Sequence, residues 1–427
     1  MKNFAITSNT NPWRQRARAW PSLTVAAAIL MAVLPPGAAR AQTLSVIYDE
    51  GSEYGELATG LLIHDNHLFG ATRNDEVQSA VYSLSIPATG LGTFKVVHEF
   101  IRARDGQKPS SQLIADQKGN LYGTTLWGGT SNTGTVYELI PTPKQPTGWG
   151  EIIIANCNPE GCDRGLFPRE ALTMDADGAL YGVTQDGGPG LYGCGMVFKL
   201  VPPSGGSVWT YIDLYEFQEP DGDCPQLHGG LLLDSAGNLY GTTASGGAYG
   251  HGAVFELSPA ATLPYTYTSL YDFEGGADGA SPNGALVGSP ADLWGTTASG
   301  GSIGGGVLFE LVEGFAGNPA YTLRVWHSFT GGSDGYTPTA GLLNVAGTFW
   351  GTTSAGGDGT TPDSGTIFKL APDEDPLFWD YTTLYTFNGP DGADPGTSLT
   401  ADASGTLYGV TLRGGTNNYG VVYKLVP

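Results

Sequence analysis

The sequence predicts an all-β fold: a seven-bladed β-propeller whose last blade closes by a 3+1 arrangement of strands. Three observations carry this. One phrase recurs seven times at a nearly constant interval, each interval holds four strand-like pieces, and the two ends of the mature chain match complementary pieces. The phrase is clearest as LYGTTASGGAYGHGAVFEL, Leu239–Leu257. It returns as LYGTTLWGGTSNTGTVYEL from Leu121 and LWGTTASGGSIGGGVLFEL from Leu293, more loosely from Leu180, Phe349 and Leu407, and as a worn copy from Leu68. Its glycine falls at Gly70, Gly123, Gly182, Gly241, Gly295, Gly351 and Gly409, at intervals of 53 to 59 residues. Repetition at this period marks one repeat domain rather than several independent ones.

In chain order, residues 1–41 differ from the rest. Arg14, Arg16 and Arg18 precede an apolar run from Leu23 to Leu34, and Ala39-Arg40-Ala41 gives a small-residue cleavage pattern. That is the build of a secretory signal peptide, and the run falls short of the ~20 residues a bilayer span needs. Residues 42–427 are then expected to form the single propeller domain. Loss of residues 1–41 removes five basic residues and no acids, taking the formal charge from −22 to −27. So acidic a surface repels nucleic acid, anionic membranes and anionic polysaccharides. Neutral sugars and divalent cations stay open.

The four strand pieces are best seen around Leu239. Leu231–Asp234 is the first, the turn Ser235–Asn238 leads to the second at Leu239–Thr243, the glycine-rich loop follows, and Ala253–Leu257 is the third. After Pro259–Pro264 the fourth, Tyr265–Phe273, alternates aromatic and polar residues as a half-exposed strand does. Four-stranded units about an axis make propeller blades. The chain ends argue for a closed ring over an open solenoid: Leu44–Asp49 fits the pattern of a fourth strand, whereas the chain finishes on a third strand at Val421–Leu425. Pairing them removes the open sheet edges.

The first-to-second turns carry Asx and Gly chemistry at Asp116–Asn120, Asp175–Ala179, Asp234–Asn238 and Asp402–Thr406. On the opposite face, the connections into each new blade repeat Asp-Gly-x-x-Pro at Asp105, Asp278, Asp334 and Asp391, with variants at Asp221 and Asp163.

The LYGTTxxGGxxxxGTVFEL and DGxxP pieces resemble the GloVer (Gloeobacter/Verrucomicrobium) tandem-repeat proteins over Leu44–Leu425. The resemblance implies an exported bacterial protein, often held by a C-terminal anchor, and it brings no catalytic residues. This chain stops at Pro427, directly after the last strand, so a secreted or periplasmic product without such an anchor is expected.

Four cysteines in an exported chain suggest disulfides. Nearness in sequence favours Cys157–Cys162 and Cys194–Cys224, with a structural zinc site as the alternative. The repeated aspartates Asp105, Asp278, Asp334 and Asp391 would put carboxylates on one rim, where calcium or a sugar could bind, yet an Asx-turn needs the same residues. Asymmetry is the better lead. Asp221, Asp223, His228 and His251 fall in neighbouring loops of one face, with Arg164, Arg169 and Glu170 close by, a set suited to a metal, a carboxylate-bearing ligand or acid–base work. Trp127, Tyr192, Tyr249, Tyr419 and Arg413 lie in the loops between second and third strands, where rings stack on sugars or pack locally. His98 and His327 take the tyrosine position of the fourth strand, a packing or pairing role. The glycine-rich loops lack the Gly-Lys-Ser/Thr of a P-loop and lead into a strand rather than a helix. The expectation is a monomeric, non-catalytic binding or scaffold module for an extracellular glycan or protein, needing no cofactor. A polysaccharide hydrolase or lyase is the alternative, and the fold itself does not choose.

Overall fold

The computed structural model describes residues 42–427 except 50, 52–53, 75–77, 102–104, 146, 158–164, 188–193, 206–207, 219–229, 315–319, 358–363 and 376–377. Within this span lie seven small antiparallel sheets in a ring, a seven-bladed β-propeller. In blade four the strands are Leu232–Leu233, Leu239–Thr243, Ala253–Ser258 and Thr266–Asp272, each hydrogen-bonded to the next. The second strands of the other blades are His67–Arg73, Leu121–Trp127, Leu180–Gly187, Asp292–Ser299, Thr348–Thr353 and Leu407–Val410. The seventh sheet takes its outer strand from the start of the domain: Thr43–Asp49 pairs with Val421–Val426, from Thr43 opposite Val426 to Asp49 opposite Val421.

A lock repeated elsewhere shows that this strand truly completes the blade. The residue ending a fourth strand accepts a backbone N–H from the glycine-rich loop, as Asp272 does from Ala248, Asn156 from Thr130 and Ser328 from Ser302. Asp49 does the same for Thr416, across 367 positions of chain.

The core lies between blades. Among the described residues lie seven buried clusters, one for each pair of neighbours, including one that joins blades seven and one through Ile47, Leu68, Tyr408 and Val422. The repeated phrase is therefore apolar on both faces. Leu239, Phe255 and Leu257 pack toward blade three, whereas Tyr240 and Val254 pack toward blade five. Period-two alternation sends successive side chains to opposite faces, so a strand buried on both sides needs such a run. The strand glycine is explained by a close approach: a Cβ on Gly241 would come within 2.6 Å of the Phe255 ring tip.

Two features differ from the sequence expectation. Each fourth strand carries a bulge against the third, always at the same place, for example where Val254 faces Tyr271 and Phe255 faces Ser269. The extra residue increases twist, and it is apolar in every blade (Leu270 here). Second, the end of the Asp-Gly-x-x-Pro segment is strand rather than loop: Gln107–Pro109, Gly165–Pro168 and Ala280–Pro282 pair with the second strands of their blades. The innermost strand is thus split in two.

This split strand ties each blade to the one before it. The residue preceding the proline is left-handed in five blades, with φ of 54° at Lys108, 59° at Phe167, 53° at Ser281, 56° at Thr337 and 58° at Asp394. Residues before proline normally avoid such conformations, and a β-branched threonine more so. The backbone N–H released by the turn explains it. Phe167, Ser281, Thr337 and Asp394 donate to Thr133, His251, Gly305 and Ser364 of the preceding blade at 2.8–3.1 Å. The proline then packs on that blade's last loop glycine. A Cβ on Gly252 would overlap the Thr243 carbonyl oxygen and lie 2.6 Å from Pro282 Cδ.

Candidate functional site

The loops between second and third strands and the Asp-Gly-x-x-Pro turns share one face of the ring. Three aspartates of that motif, Asp278, Asp334 and Asp391, are engaged within their own turns. Asp278 accepts the backbone N–H groups of Glu274 at 2.7 Å and Gly276 at 3.2 Å, and the Tyr271 hydroxyl at 3.2 Å. Asp391 likewise takes the Asn388 N–H and the Tyr385 hydroxyl. In blade six a histidine replaces the tyrosine: His327 Nε2 lies 3.1 Å from Asp334, which also accepts the N–H and hydroxyl of Thr330. Burial alone would raise the Asp334 pKa, but the Thr330 and His327 bonds outweigh it and hold the carboxyl below its usual range. Burial drives the His327 pKa below 6.5, with Asp334 opposing. His98, the other histidine at this strand position, faces Glu151 of the next blade at 3.3 Å. Asp105 is half-buried in the equivalent turn of blade two. Among the described residues no group of three or more His, Cys, Asp or Glu is placed to hold a metal ion.

The asymmetric candidates divide. Asp221, Asp223, His228 and Arg164 lie outside the described residues, as do Tyr192, Cys162 and Cys224. Each expected disulfide therefore has one member outside them; Cys157 and Cys194 are buried. Arg169 is exposed, and so is His251, whose ring lies where a Cβ on Gly275 would be. His251 also has a backbone duty, its carbonyl being the acceptor for Ser281 at the joint to blade five.

Beside His251 the structure places a cluster that the sequence reading only half anticipated. Tyr249 is 57% exposed, and Ile303, at the equivalent place in blade five, is also 57% exposed. Tyr336 of blade six lies against the backbone at Gly304, Gly305 and Gly331. Tyr249 was visible as a loop aromatic, whereas Ile303 and Tyr336 gain meaning only once blades four, five and six stand side by side. Trp127 is instead packed edge-on against Phe167 at 4.9 Å.

Around the axis a cavity of 190 Å³ draws lining residues from all seven blades, among them Thr59, Ser111, Glu170, Gly230, Gly284, Ala340 and Thr397. Most are small because seven inner strands meet there. Glu170 is the one charged side chain among the described lining residues, and Gln112 crosses to the Leu61 carbonyl at 2.7 Å. A larger hollow of 660 Å³ lies away from the axis, along Tyr211–Glu216 of blade three and beside Leu263 and Pro264.

Comparison with known proteins follows the same repeat. The sequence matches the Gloeobacter/Verrucomicrobia repeat over residues 34–226 and 167–423. No relative is found among curated proteins. Solved structures similar in backbone include polysaccharide lyase Uly1, at 8% identity and a TM-score of 0.49 over 93% of this chain and 94% of that one. They also include the periplasmic gluconolactonase PpgL of Pseudomonas aeruginosa, at 14% identity and 0.47 over 86% and 96%. A protein of unknown function from Dyadobacter fermentans is similar at 13% and 0.45 over 90% and 98%. These likenesses concern the fold alone. The repeat match covers most of the sequence, and the chain belongs to the Gloeobacter/Verrucomicrobia repeat family.

Proposed function

We propose that the chain is an exported binding or scaffold module, residues 1–41 directing secretion and residues 42–427 holding an extracellular glycan or protein on the loop-rich face. The observation that carries this is the exposed group Tyr249, His251 and Ile303 on adjoining blades. Two large side chains more than half exposed at equivalent loop tips, rimmed by glycines, have the composition of a contact surface. The repeated aspartates serve their turns in each blade where their bonds are described, which leaves recognition to such asymmetric positions. The acidic charge disfavours nucleic acid and anionic polymers, so a neutral glycan or a protein suits it. A second reading draws on Glu170, a half-buried carboxylate at the axial cavity: a polysaccharide hydrolase or lyase that combines it with Asp221, His228 and His251. Glycan-array and pull-down binding by the wild type, lost in a Tyr249→Ala/Ile303→Ser variant of unchanged melting temperature, supports the first reading. Reducing-sugar release from the same polymers without such binding refutes it. Full turnover by an Asp221/His228/His251 triple alanine variant would remove those residues from the second.

A further inference from the structure

On the face opposite the loops, the first-to-second turns of blades two and three border a cavity of 350 Å³. Met174, Pro202, Pro203 and Trp209 give it apolar walls, and Asp116, Glu138 and Asp177 outnumber Lys118. The Asp116 carboxylate is fully engaged. It accepts the Lys118 and Asn120 N–H groups at 2.8 and 2.9 Å, the Asn120 amide at 3.0 Å and the Tyr122 hydroxyl at 3.2 Å. That same hydroxyl lies 2.9 Å from Glu138 Oε1, so one proton is shared between two carboxylates. Glu138 is only 8% exposed, and among the described residues none donates a hydrogen bond to its other oxygen, Oε2. Burial raises the Glu138 pKa and Asp116 adds to the effect, against the Tyr122 bond and the nearby Lys118 charge.

The other blades show what this arrangement lacks. Position 138 is Lys199 in blade three, Lys369 in blade six and Lys424 in blade seven. Lys199 Nζ sits 2.6 Å from the Tyr181 hydroxyl and 3.4 Å from Asp175, with Tyr181 and Asp175 standing where blade two has Tyr122 and Asp116. In blade five the residue is again acidic, Glu310, but Arg324 and Trp326 donate to it at 3.2 and 3.0 Å. Blade four repeats the arrangement, the Tyr240 hydroxyl lying 3.4 Å from Asp234 and 3.1 Å from Glu256, with Ser258 donating to that same Glu256 oxygen at 3.1 Å. What blade two adds to the two carboxylates around its tyrosine is a cavity large enough for more than an ion, walled by Trp209, Met174 and two prolines, with Lys118 among its lining residues.

We infer that this cavity binds an organic cation, a primary ammonium on an aliphatic stem, whose nitrogen takes the place beside Tyr122 and Glu138 that Lys199 Nζ takes in blade three, with the stem against Trp209. An indole face and buried acceptors together favour an alkylammonium over a neutral diol of the same length. This site is separate from the loop-rich face and stands or falls independently of it.

The test is calorimetric titration of the mature protein at low ionic strength with cadaverine, with 1,5-pentanediol as neutral isostere and an Nα-acetyl-lysine amide to separate free amines from lysine side chains. One-to-one binding of cadaverine but not of the diol is expected, weakened about tenfold or more in Glu138→Gln and in Trp209→Ala. Binding of the lysine amide as well would assign the site to lysine-bearing peptides, and its absence would assign it to free amines. Glu138→Lys, which copies blades three, six and seven, should abolish cadaverine binding and keep or raise the melting temperature. Equal affinity for the diol, no binding of either amine, or undiminished binding in Glu138→Lys or Trp209→Ala would overturn the inference.

Discussion

Replacing Gly252 by alanine tests the joint between blades most directly. At φ +96° an alanine is strained by about 1 kcal/mol. Its Cβ would also overlap the Thr243 carbonyl oxygen and press on Pro282 Cδ at 2.6 Å, both held by backbone. Relieving such overlap by shifting packed elements costs about 1–3 kcal/mol. The total is about 2–4 kcal/mol. A domain of about 390 residues has an unfolding entropy of about 0.8 kcal/mol/K, so the melting temperature should fall by about 3–5 °C. Gly250 is the matched control. It lies two residues away at φ +79°, and a Cβ there meets nothing within 4 Å, so Gly250→Ala should cost only about 1 kcal/mol, or about 1 °C. Differential scanning calorimetry of the two variants side by side reads the difference. Adding Pro282→Ala to Gly252→Ala should recover part of the loss, because the proline contact goes while the carbonyl overlap stays. If Gly252→Ala melts no lower than Gly250→Ala, the packing of proline on glycine is not what joins the blades.

Three further outcomes are expected. Tyr423 and Tyr137 are fully buried, and their hydroxyls have no hydrogen-bond partner among the described residues, at a site that holds phenylalanine in blades three to six; Tyr423→Phe and Tyr137→Phe should each stabilise by about 1 kcal/mol in urea titrations, and comparable destabilisation would reveal further partners. Folding favours the neutral form of His327 because burial lowers its pKa. Protonation therefore opposes the fold, and stability falls as the pH drops below the unfolded value of about 6.5. His327→Tyr, copying Tyr271 and Tyr385, should flatten stability between about pH 7 and 5 relative to the wild type. A parallel pair of pH curves would show that His327 does not titrate there. Intact mass of the secreted protein, alkylated without reductant, should show no labelled cysteine, and any label would contradict the two expected disulfides.

The architecture was legible because the chain repeats itself. Seven evenly spaced glycines and a spare fourth strand at the start leave little choice but a closed ring, since period-two strands buried on both faces must find neighbours on both sides. The joints were less legible for a definable reason. The left-handed residue before the proline is phenylalanine, serine, threonine or aspartate in blades three, five, six and seven, because its backbone N–H, and not its side chain, makes the contact with the preceding blade. Composition carries no trace of such a requirement. The bulges are similar: the inserted residue is simply another apolar one, such as Ile47, Leu214 or Leu384.

Candidate sites pose the opposite problem, since the residues were in plain view and their meaning was not. The choice of glutamate at 138, 256 and 310 and lysine at 199, 369 and 424 can be read directly from the repeat. It becomes informative only when Lys199 is seen to answer a tyrosine–aspartate pair that Glu138 also faces. A site in a repeat protein is therefore best sought where one copy loses a partner that its siblings keep. The symmetric rim of aspartates passes that test nowhere that its bonds are described. His251 passes only in part, since its carbonyl performs the same joint-making task as Thr133, Gly305 and Ser364, and only its ring is new. The pocket beside Glu138 is the sharper case, because there two carboxylates about one tyrosine, an apolar wall with an indole and a cavity coincide, whereas blade four shares only the carboxylates and the tyrosine.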